Sequence, residues 1–138
     1  MQSEKCKTIN AKSSSEKLSR NDHLSERLLN FAASIIKSAA MFNKGEAGCH
    51  IFKQLMRSST SAGANYEEAR GAESLADFIH KLQIVLKELR ESIYWLRLTN
   101  RAELIPNQNL DHLAQEAGEL ANIIAKSVVT ARKRVKCA

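Results

Sequence analysis

The sequence has few of the residues that break helices and few of those that favour strands. It contains one proline and five glycines in 138 residues, and only 5% of its residues are aromatic. Hydrophobic residues nevertheless make up 43% of the chain, alongside abundant Ala, Lys, Glu and Arg, a mixture that favours helix. A β-sandwich would need more turn residues, so we expect a single all-α domain.

Long apolar runs and paired cysteines are also missing. No run approaches the ~20 apolar residues that a membrane-spanning helix needs, and residues 1–20 lack the apolar segment of a secretory signal. We therefore expect a cytoplasmic protein without a membrane partner. Cys6, Cys49 and Cys137 are far apart and form no C-x-x-C pair, which predicts reduced thiols.

The sequence lacks the motifs of known catalytic and cofactor sites. It has no P-loop, no Gly-rich dinucleotide turn, no H-E-x-x-H and no nucleophile elbow. Its four histidines fall on different predicted segments, and the Glu-x-x-His pattern of di-iron bundles does not occur. We predict a protein that is not an enzyme, with no catalytic residues, no metal and no cofactor.

Apolar residues recur at intervals of three and four, which predicts amphipathic helices. The first helix begins at Asp22 as N-cap and ends before residues 43–45. Its predicted face consists of Leu24, Leu28, Phe31, Ala32, Ile35, Ile36 and Ala39. The second starts near Glu46, with one face made of Cys49, Phe52, Leu55, Met56, Ser59 and Ala62. Gly63 could end this helix, but the same spacing continues through Tyr66 and Ala69, which favours an end near Arg70.

The third helix carries the strongest periodic signal. Ser74 is its predicted N-cap, and it runs from Leu75 to about Thr99. Its leucines recur at a strict interval of seven, at Leu75, Leu82, Leu89 and Leu96, flanked by Ile79, Leu86 and Ile93. Pro106 predicts a turn at residues 102–109. The fourth helix continues from about Leu110 through Leu113, Ala117, Leu120, Ile124 and Val128.

Four amphipathic helices with three short connections predict an up-down-up-down antiparallel four-helix bundle. We place the bundle at residues 22–131, after a flexible polar extension at residues 1–21 and before a basic C-terminal tail at residues 132–138. Ile84, Trp95 and Leu98 project opposite the leucine line of the third helix. This second apolar side predicts an oligomer interface, although isolated apolar residues on a surface are also normal.

Positive charge is concentrated at the C-terminus. The net charge is +6, and Lys126, Arg132, Lys133, Arg134 and Lys136 supply five of those charges without an acidic residue among the last thirteen positions. Such a cluster can neutralise nucleic-acid phosphates. Basic residues at a helix end also complement its dipole, and basic termini add solubility.

The chain resembles a known family over three stretches. Residues 54–69 read QLMRSSTSAGANYEEA, residues 72–82 read AESLADFIHKL and residues 86–96 read LKELRESIYWL. They resemble the bacterial four-helix-bundle family first noted as proteins encoded in intervening sequences of large-subunit ribosomal RNA genes. The resemblance covers about residues 24–133, and residues before Asp22 lie outside it.

The resemblance implies a left-handed bundle that assembles as a homopentamer and has no established catalytic residues. It extends to the basic pentameric accessory proteins of diversity-generating retroelements, which contact a reverse transcriptase and nucleic acid. A net charge of only +1 before Lys126 departs from that strongly basic barrel. Among the motif residues Gly63, Asn65, Tyr66 and Glu68, we expect Asn65 and Tyr66 to fix the junction of helices two and three rather than bind a ligand.

Two hypotheses follow for function. In the first, a non-enzymatic homo-oligomer binds RNA or DNA through phosphates. The predicted contacts are Arg132, Lys133, Arg134 and Lys136, helped by Lys126, Lys81 and Arg57. In the second, the oligomer is a scaffold for another protein, and the tail serves only solubility.

Overall fold

A computed structural model describes residues 19–137, and within this range the chain forms four long α-helices. They are α1 (Arg20–Lys37), α2 (Glu46–Arg70), α3 (Leu75–Arg101) and α4 (Asp111–Cys137), with a short 3-10 helix at Ser38–Met41. Consecutive helices pack side by side, and α1 also contacts α4. The fold is the expected up-down-up-down antiparallel bundle. Residues 1–18, which hold most of the predicted extension and Cys6, lie outside the described range.

The start of α1 differs from the prediction, because Ser19 rather than Asp22 is the N-cap. Ser19 Oγ accepts a hydrogen bond from the Asp22 backbone N–H at 3.2 Å, and an Asp22 carboxylate oxygen accepts one from the Ser19 backbone N–H at 3.1 Å. This is a reciprocal capping box. Bonds from Ser19 and then from Arg70 lower the pKa of Asp22. Residues 19–21 therefore belong to the start of the bundle and not to an extension.

The other helix ends agree with the sequence. Ser74 caps α3 by accepting a hydrogen bond from the Asp77 backbone N–H at 3.1 Å. The second helix continues through Gly63 to Arg70, as its spacing predicts. The chain turns at the connection that holds Pro106, where Asn107 adopts a left-handed conformation with φ of 59°.

The core is built from one face of each helix. Fully buried side chains include Leu28, Phe31, Ile35, Leu55, Leu82, Leu89, Leu96, Leu120 and Ile124. Three residues predicted to lie on buried faces do not: Ile36, Ala39 and Cys49 are exposed. Ile36 lies off the core face of α1 beside Leu29, and their side chains are 49% and 61% exposed.

The α1–α2 loop and the α3–α4 loop lie at the same end of the bundle, which we call the loop end. The Asn43 backbone N–H donates to the Leu104 carbonyl at 2.7 Å, so the α1–α2 loop is tied to the α3–α4 loop. Gly48, in the first turn of α2, is buried against Asn43. A Cβ at Gly48 would overlap the Asn43 carbonyl oxygen. This close approach therefore requires glycine.

No helix within residues 19–137 is long and apolar enough to cross a bilayer. The described helices are instead amphipathic, with buried faces directed at one another. The opposite end of the bundle gathers the starts of α1 and α3 and the ends of α2 and α4, and we call it the cleft end.

The packing of Gly48 predicts that adding one methyl group at this position strongly lowers the stability of the bundle. We expect Gly48→Ala to lower the free energy of unfolding by about 1 to 3 kcal/mol, because the Asn43 backbone must move to admit the Cβ. The matched control is Gly118→Ala in α4, where a Cβ meets nothing within 4 Å. That variant gains up to ~1 kcal/mol from helix propensity. Urea denaturation followed by circular dichroism measures both, and equal stability of the two variants would contradict the assignment.

Candidate nucleic-acid interface

The basic tail, Arg132, Lys133, Arg134 and Lys136, forms the last turns of α4. All four side chains are exposed, and none pairs with a carboxylate of residues 19–137. Because successive helical residues point about 100° apart, the four charges spread around the helix. Arg134 faces the cleft end together with Lys126. The sequence alone did not reveal this division of the cationic cluster.

Arg57 and Lys81 differ from the tail, because both are compensated by carboxylates across the α2–α3 interface. Arg57 lies 2.6 Å from Glu91 and 3.8 Å from Glu88. Lys81 donates to Glu68 at 2.8 Å. The hydrogen bonds that Arg57 and Lys81 donate to Glu91 and Glu68 raise the pKa of each cation. These two cations therefore join helices, and a phosphate would have to compete with their carboxylates.

The cleft end holds a wide cavity of about 1130 Å³. Its floor is apolar and includes Leu24, Tyr66, Leu75, Phe78 and Ile123. Its rim carries cations, namely Arg20, Arg27, Arg70, Lys126 and Arg134. We call this cavity the end cleft.

Two of the cations on the rim of the end cleft are already neutralised. Arg27 bonds Glu116 at 2.9 Å and Glu119 at 3.0 Å, and Arg70 bonds Asp22 at 2.6 Å. Arg20, Lys126 and Arg134 have no such partner within residues 19–137. Positive potential on this rim therefore comes mainly from the end of α4.

The contacts of the motif residues Asn65, Tyr66 and Gly63 lie within the bundle. The Asn65 side-chain amide donates to the Ser61 carbonyl at 2.9 Å within α2, and Tyr66 is only 4% exposed at the cleft end. Burial raises the pKa of Tyr66. Gly63 faces α1, where a Cβ would lie 3.8 Å from the Leu28 Cβ. That is an ordinary van der Waals distance, so the packing of α1 on α2 would also admit alanine at this position.

Ile84, Trp95 and Leu98 lie along one flank of α3 and are half-buried in the single chain. Trp95 packs against the core cluster and donates from Nε1 to Glu91 at 3.1 Å. More open apolar surface lies elsewhere, between α1 and α2. There Leu29 and Ile36 border a groove of about 490 Å³ whose other walls include Ala33, Gly63 and Ala64. We call it the α1–α2 groove.

The outward side of α3 carries a set of residues that the sequence analysis did not single out. Its exposed positions in the second half of the helix recur at three and four. They are Lys87, Arg90, Tyr94, Arg97 and Arg101, which we call the α3 basic face. The signal was present in the sequence, because these residues repeat at helical spacing opposite the buried leucines. It was missed because the near-neutral charge of residues 1–125 hides their segregation.

The described residues contain no cluster of three or more His, Cys, Asp or Glu side chains placed to hold a metal. Cys49 and Cys137 are free and exposed.

Comparison with known proteins agrees with this architecture. The model of the family described as 23S rRNA-intervening sequence protein matches residues 5–126. The match begins well before the expected limit near Leu24, and it ends before the basic tail. A solved structure of a protein of unknown function from the S23 ribosomal protein family of Bacteroides thetaiotaomicron VPI-5482 is 33% identical. The similarity covers 80% of this chain and 98% of that chain, with a TM-score of 0.72. No curated protein matches significantly.

The pKa shifts of Glu91 and Glu88, the two carboxylates beside Arg57, predict different effects on stability when each residue is replaced by glutamine. Burial acts to raise the pKa of Glu91, but hydrogen bonds from Arg57 and Trp95 outweigh it, and the net pKa is lowered. The pKa of Glu88 is raised, mainly by burial, and its Oε2 has no hydrogen-bond partner. We expect Glu91→Gln to lower the free energy of unfolding by about 1 kcal/mol at pH 7. Glu88→Gln should be as stable as the wild type or more stable.

The effect of Glu91→Gln should also depend on pH. A lowered pKa contributes stability that is present above the unfolded value near 4.3 and is lost as the pH falls below it. The difference from the wild type should therefore close between pH 5 and about pH 3, as measured by urea denaturation. An equal loss of stability in both variants at pH 7 would show that Glu88 is as well paired as Glu91.

Proposed function

Because the chain belongs to the 23S rRNA-intervening sequence protein family, we propose that it is a non-enzymatic homo-oligomer that binds RNA or DNA through phosphate contacts. The proposal takes five subunits from the family resemblance and the cytoplasm as the setting. One observation carries the binding part. The basic tail presents four exposed cations that have no carboxylate partner within residues 19–137.

The position of the tail supports this role. An unpaired cation can exchange its counterion for a phosphate without breaking a protein ion pair, whereas Arg57 and Lys81 would first have to leave Glu91 and Glu68. Being part of α4, the tail is held by a helix whose Val128 and Ala131 are buried in the bundle. Lys126 and Arg134 extend the positive surface to the rim of the end cleft.

Self-association would strengthen weak phosphate contacts. Linked binding sites raise the effective concentration of each other, so a tail repeated in every subunit gains avidity. Two apolar surfaces could support assembly, namely the flank of Ile84, Trp95 and Leu98 and the α1–α2 groove. The second candidate function, a scaffold for another protein such as a reverse transcriptase, draws on the same apolar surfaces and needs no contribution from the tail.

Binding through the tail predicts a steep salt dependence. Fluorescence anisotropy with labelled 20-nucleotide RNA and 20-base-pair DNA should give affinities that fall linearly on a log–log plot against salt. Neutralising Lys133, Arg134 and Lys136 together to Gln should lower the slope by about 2 to 3. The matched control replaces Lys37, Lys44 and Lys53, which lie toward the loop end, and should leave the slope nearly unchanged.

Two results of this titration would count against the tail. Equal slopes for the tail variant and its control would remove the tail from the interface. Absence of binding at low ionic strength by the wild type would favour the scaffold function.

Assembly predicts a mass above that of one chain in native mass spectrometry at micromolar concentration. We expect a pentamer, and we expect Ile84→Lys/Leu98→Lys to shift it toward monomer, because charge on the α3 flank opposes burial. Gln108→Lys/Gln115→Lys adds the same charge at exposed polar positions and should not dissociate it. Circular dichroism checks that each variant is folded.

A monomeric wild type would refute the oligomer. Dissociation by Leu29→Lys/Ile36→Lys, with no effect of the Ile84 and Leu98 substitutions, would move the interface to the α1–α2 groove.

A further inference from the structure

The α3 basic face is a continuous stripe of cations with an aromatic ring at its centre. Lys87, Arg90, Arg97 and Arg101 are exposed, and none of them pairs with a carboxylate of residues 19–137. At a rise of 1.5 Å per residue the stripe is about 21 Å long. That length corresponds to about six nucleotides at the 3.4 Å spacing of one strand in a duplex.

Carboxylates near this stripe are occupied elsewhere. Glu88 and Glu91 lie on the adjacent flank of α3, and both are directed to Arg57 of α2. Asp77 lies at the start of α3, ten residues before Lys87 and therefore about 15 Å from it along the helix. The positive charges of the α3 basic face therefore remain available to an external anion.

Tyr94 is unusually open for an aromatic residue, with 57% of its surface exposed. Its ring is supported from one side by Trp95, with ring centroids 5.0 Å apart and planes inclined by 70°. Trp95 is fixed in turn by its hydrogen bond to Glu91, which Arg57 holds at 2.6 Å. This series of contacts holds the Tyr94 ring in place between Arg90 and Arg97 while leaving more than half of it accessible.

We propose that the α3 basic face binds single-stranded nucleic acid, with one base stacked on Tyr94 and phosphates on Arg90, Arg97 and the flanking Lys87 and Arg101. An aromatic platform within a cationic groove is the arrangement by which proteins bind single strands without sequence preference. The inference takes nucleic acid as the ligand from the proposed function. It adds a binding site separate from the tail and a preference for single strands.

Other ligands fit this surface less well. Bases within a duplex are covered on both sides by their neighbours, so Tyr94 could stack only at a duplex end. An acidic polypeptide would satisfy the cations but would leave Tyr94 without a stacking partner. A lipid surface calls for apolar side chains at the contact, and none of the residues of the α3 basic face is aliphatic.

The first test removes the aromatic ring and keeps every charge. Fluorescence anisotropy with labelled 12-nucleotide oligothymidylate and oligouridylate should show that Tyr94→Ala weakens binding about 5- to 150-fold, the range of one base stacked on an aromatic ring. Tyr94→Phe keeps the ring and should bind like the wild type. Affinity for a duplex much longer than the stripe, in which internal sites far outnumber the two ends, should be the same in all three proteins.

Trp95 gives an independent readout, because it is the only tryptophan in the chain and its ring lies 5.0 Å from Tyr94. We expect oligothymidylate to change the Trp95 emission of the wild type and of Tyr94→Phe. The change should be lost in Tyr94→Ala at oligonucleotide concentrations that saturate binding. Binding confined to the tail would leave the emission unaltered in every variant and would overturn the proposal.

The second test removes charge and keeps the ring. Arg90→Gln/Arg97→Gln should lower the salt slope for single strands by about 1.4, since each lost phosphate contact contributes about 0.7. Lys44→Gln/Lys53→Gln removes the same charge from the loop end and should leave the slope unchanged.

The outcomes separate this inference from the proposed function. Loss of binding in the tail variant, with wild-type affinity in Tyr94→Ala and Arg90→Gln/Arg97→Gln, would overturn the α3 site and leave nucleic-acid binding in place. Loss in the α3 variants, with wild-type affinity in the tail variant, would support the α3 site and remove the tail. Displacement of the oligonucleotide by polyglutamate, with no effect of Tyr94→Ala, would mark a purely electrostatic surface and overturn the single-strand assignment. Absence of binding by the wild type would refute both.

Discussion

Burial of the leucine line of α3 determines how the rest of the molecule is arranged. Leu82, Leu89 and Leu96 are fully buried, and α3 packs extensively against both α2 and α4. One side of the helix is therefore committed to the core, its two flanks to the neighbouring helices, and only a narrow outward strip to solvent. The small residues of α2 at this interface permit close packing, and Ser58 and Ser92 share a hydrogen bond of 2.8 Å there. This one orientation determines which polar residues of α3 face a neighbouring helix and which face solvent.

The same orientation explains why a nearly neutral body carries strongly positive surfaces. Acidic residues are used between helices, where Glu91 and Glu88 face Arg57, Glu68 faces Lys81, and Asp22 faces Arg70. Such partly exposed pairs contribute little stability each. Their larger consequence is that the remaining cations, on the α3 basic face and at the end of α4, have no partner among the described residues. Net charge alone could not reveal this separation, because it counts paired and unpaired groups equally.

Much of the fold follows from the sequence because helix periodicity and caps are local signals. The extents of α2 and α3 and the turn at Pro106 were predicted in this way. The N-cap of α1 was misassigned because both Ser19 and Asp22 have capping side chains, and only the reciprocal bonds decide between them. The exposure of Ile36 and the pairing of Arg57 depend on how two helices are rotated against each other. The clash that reserves position 48 for glycine depends on how the preceding loop folds back on the first turn of α2. Spacing along one chain determines neither that rotation nor the path of the loop.

Assembly and nucleic-acid binding compete for surface on α3 only if they need the same side of the helix. Tyr94 projects about 100° from Trp95 but only about 40° from Leu98, four residues later. The α3 basic face therefore borders the flank of Ile84, Trp95 and Leu98 along one edge, which Tyr94 shares. Contact through that flank would leave Arg90, Arg97 and Arg101 open beside the interface, with Tyr94 at its margin. In a closed ring, symmetry would then repeat the stripe once in each subunit. A single strand long enough to reach from one stripe to the next would bind by several weak contacts whose combined affinity exceeds that of any one.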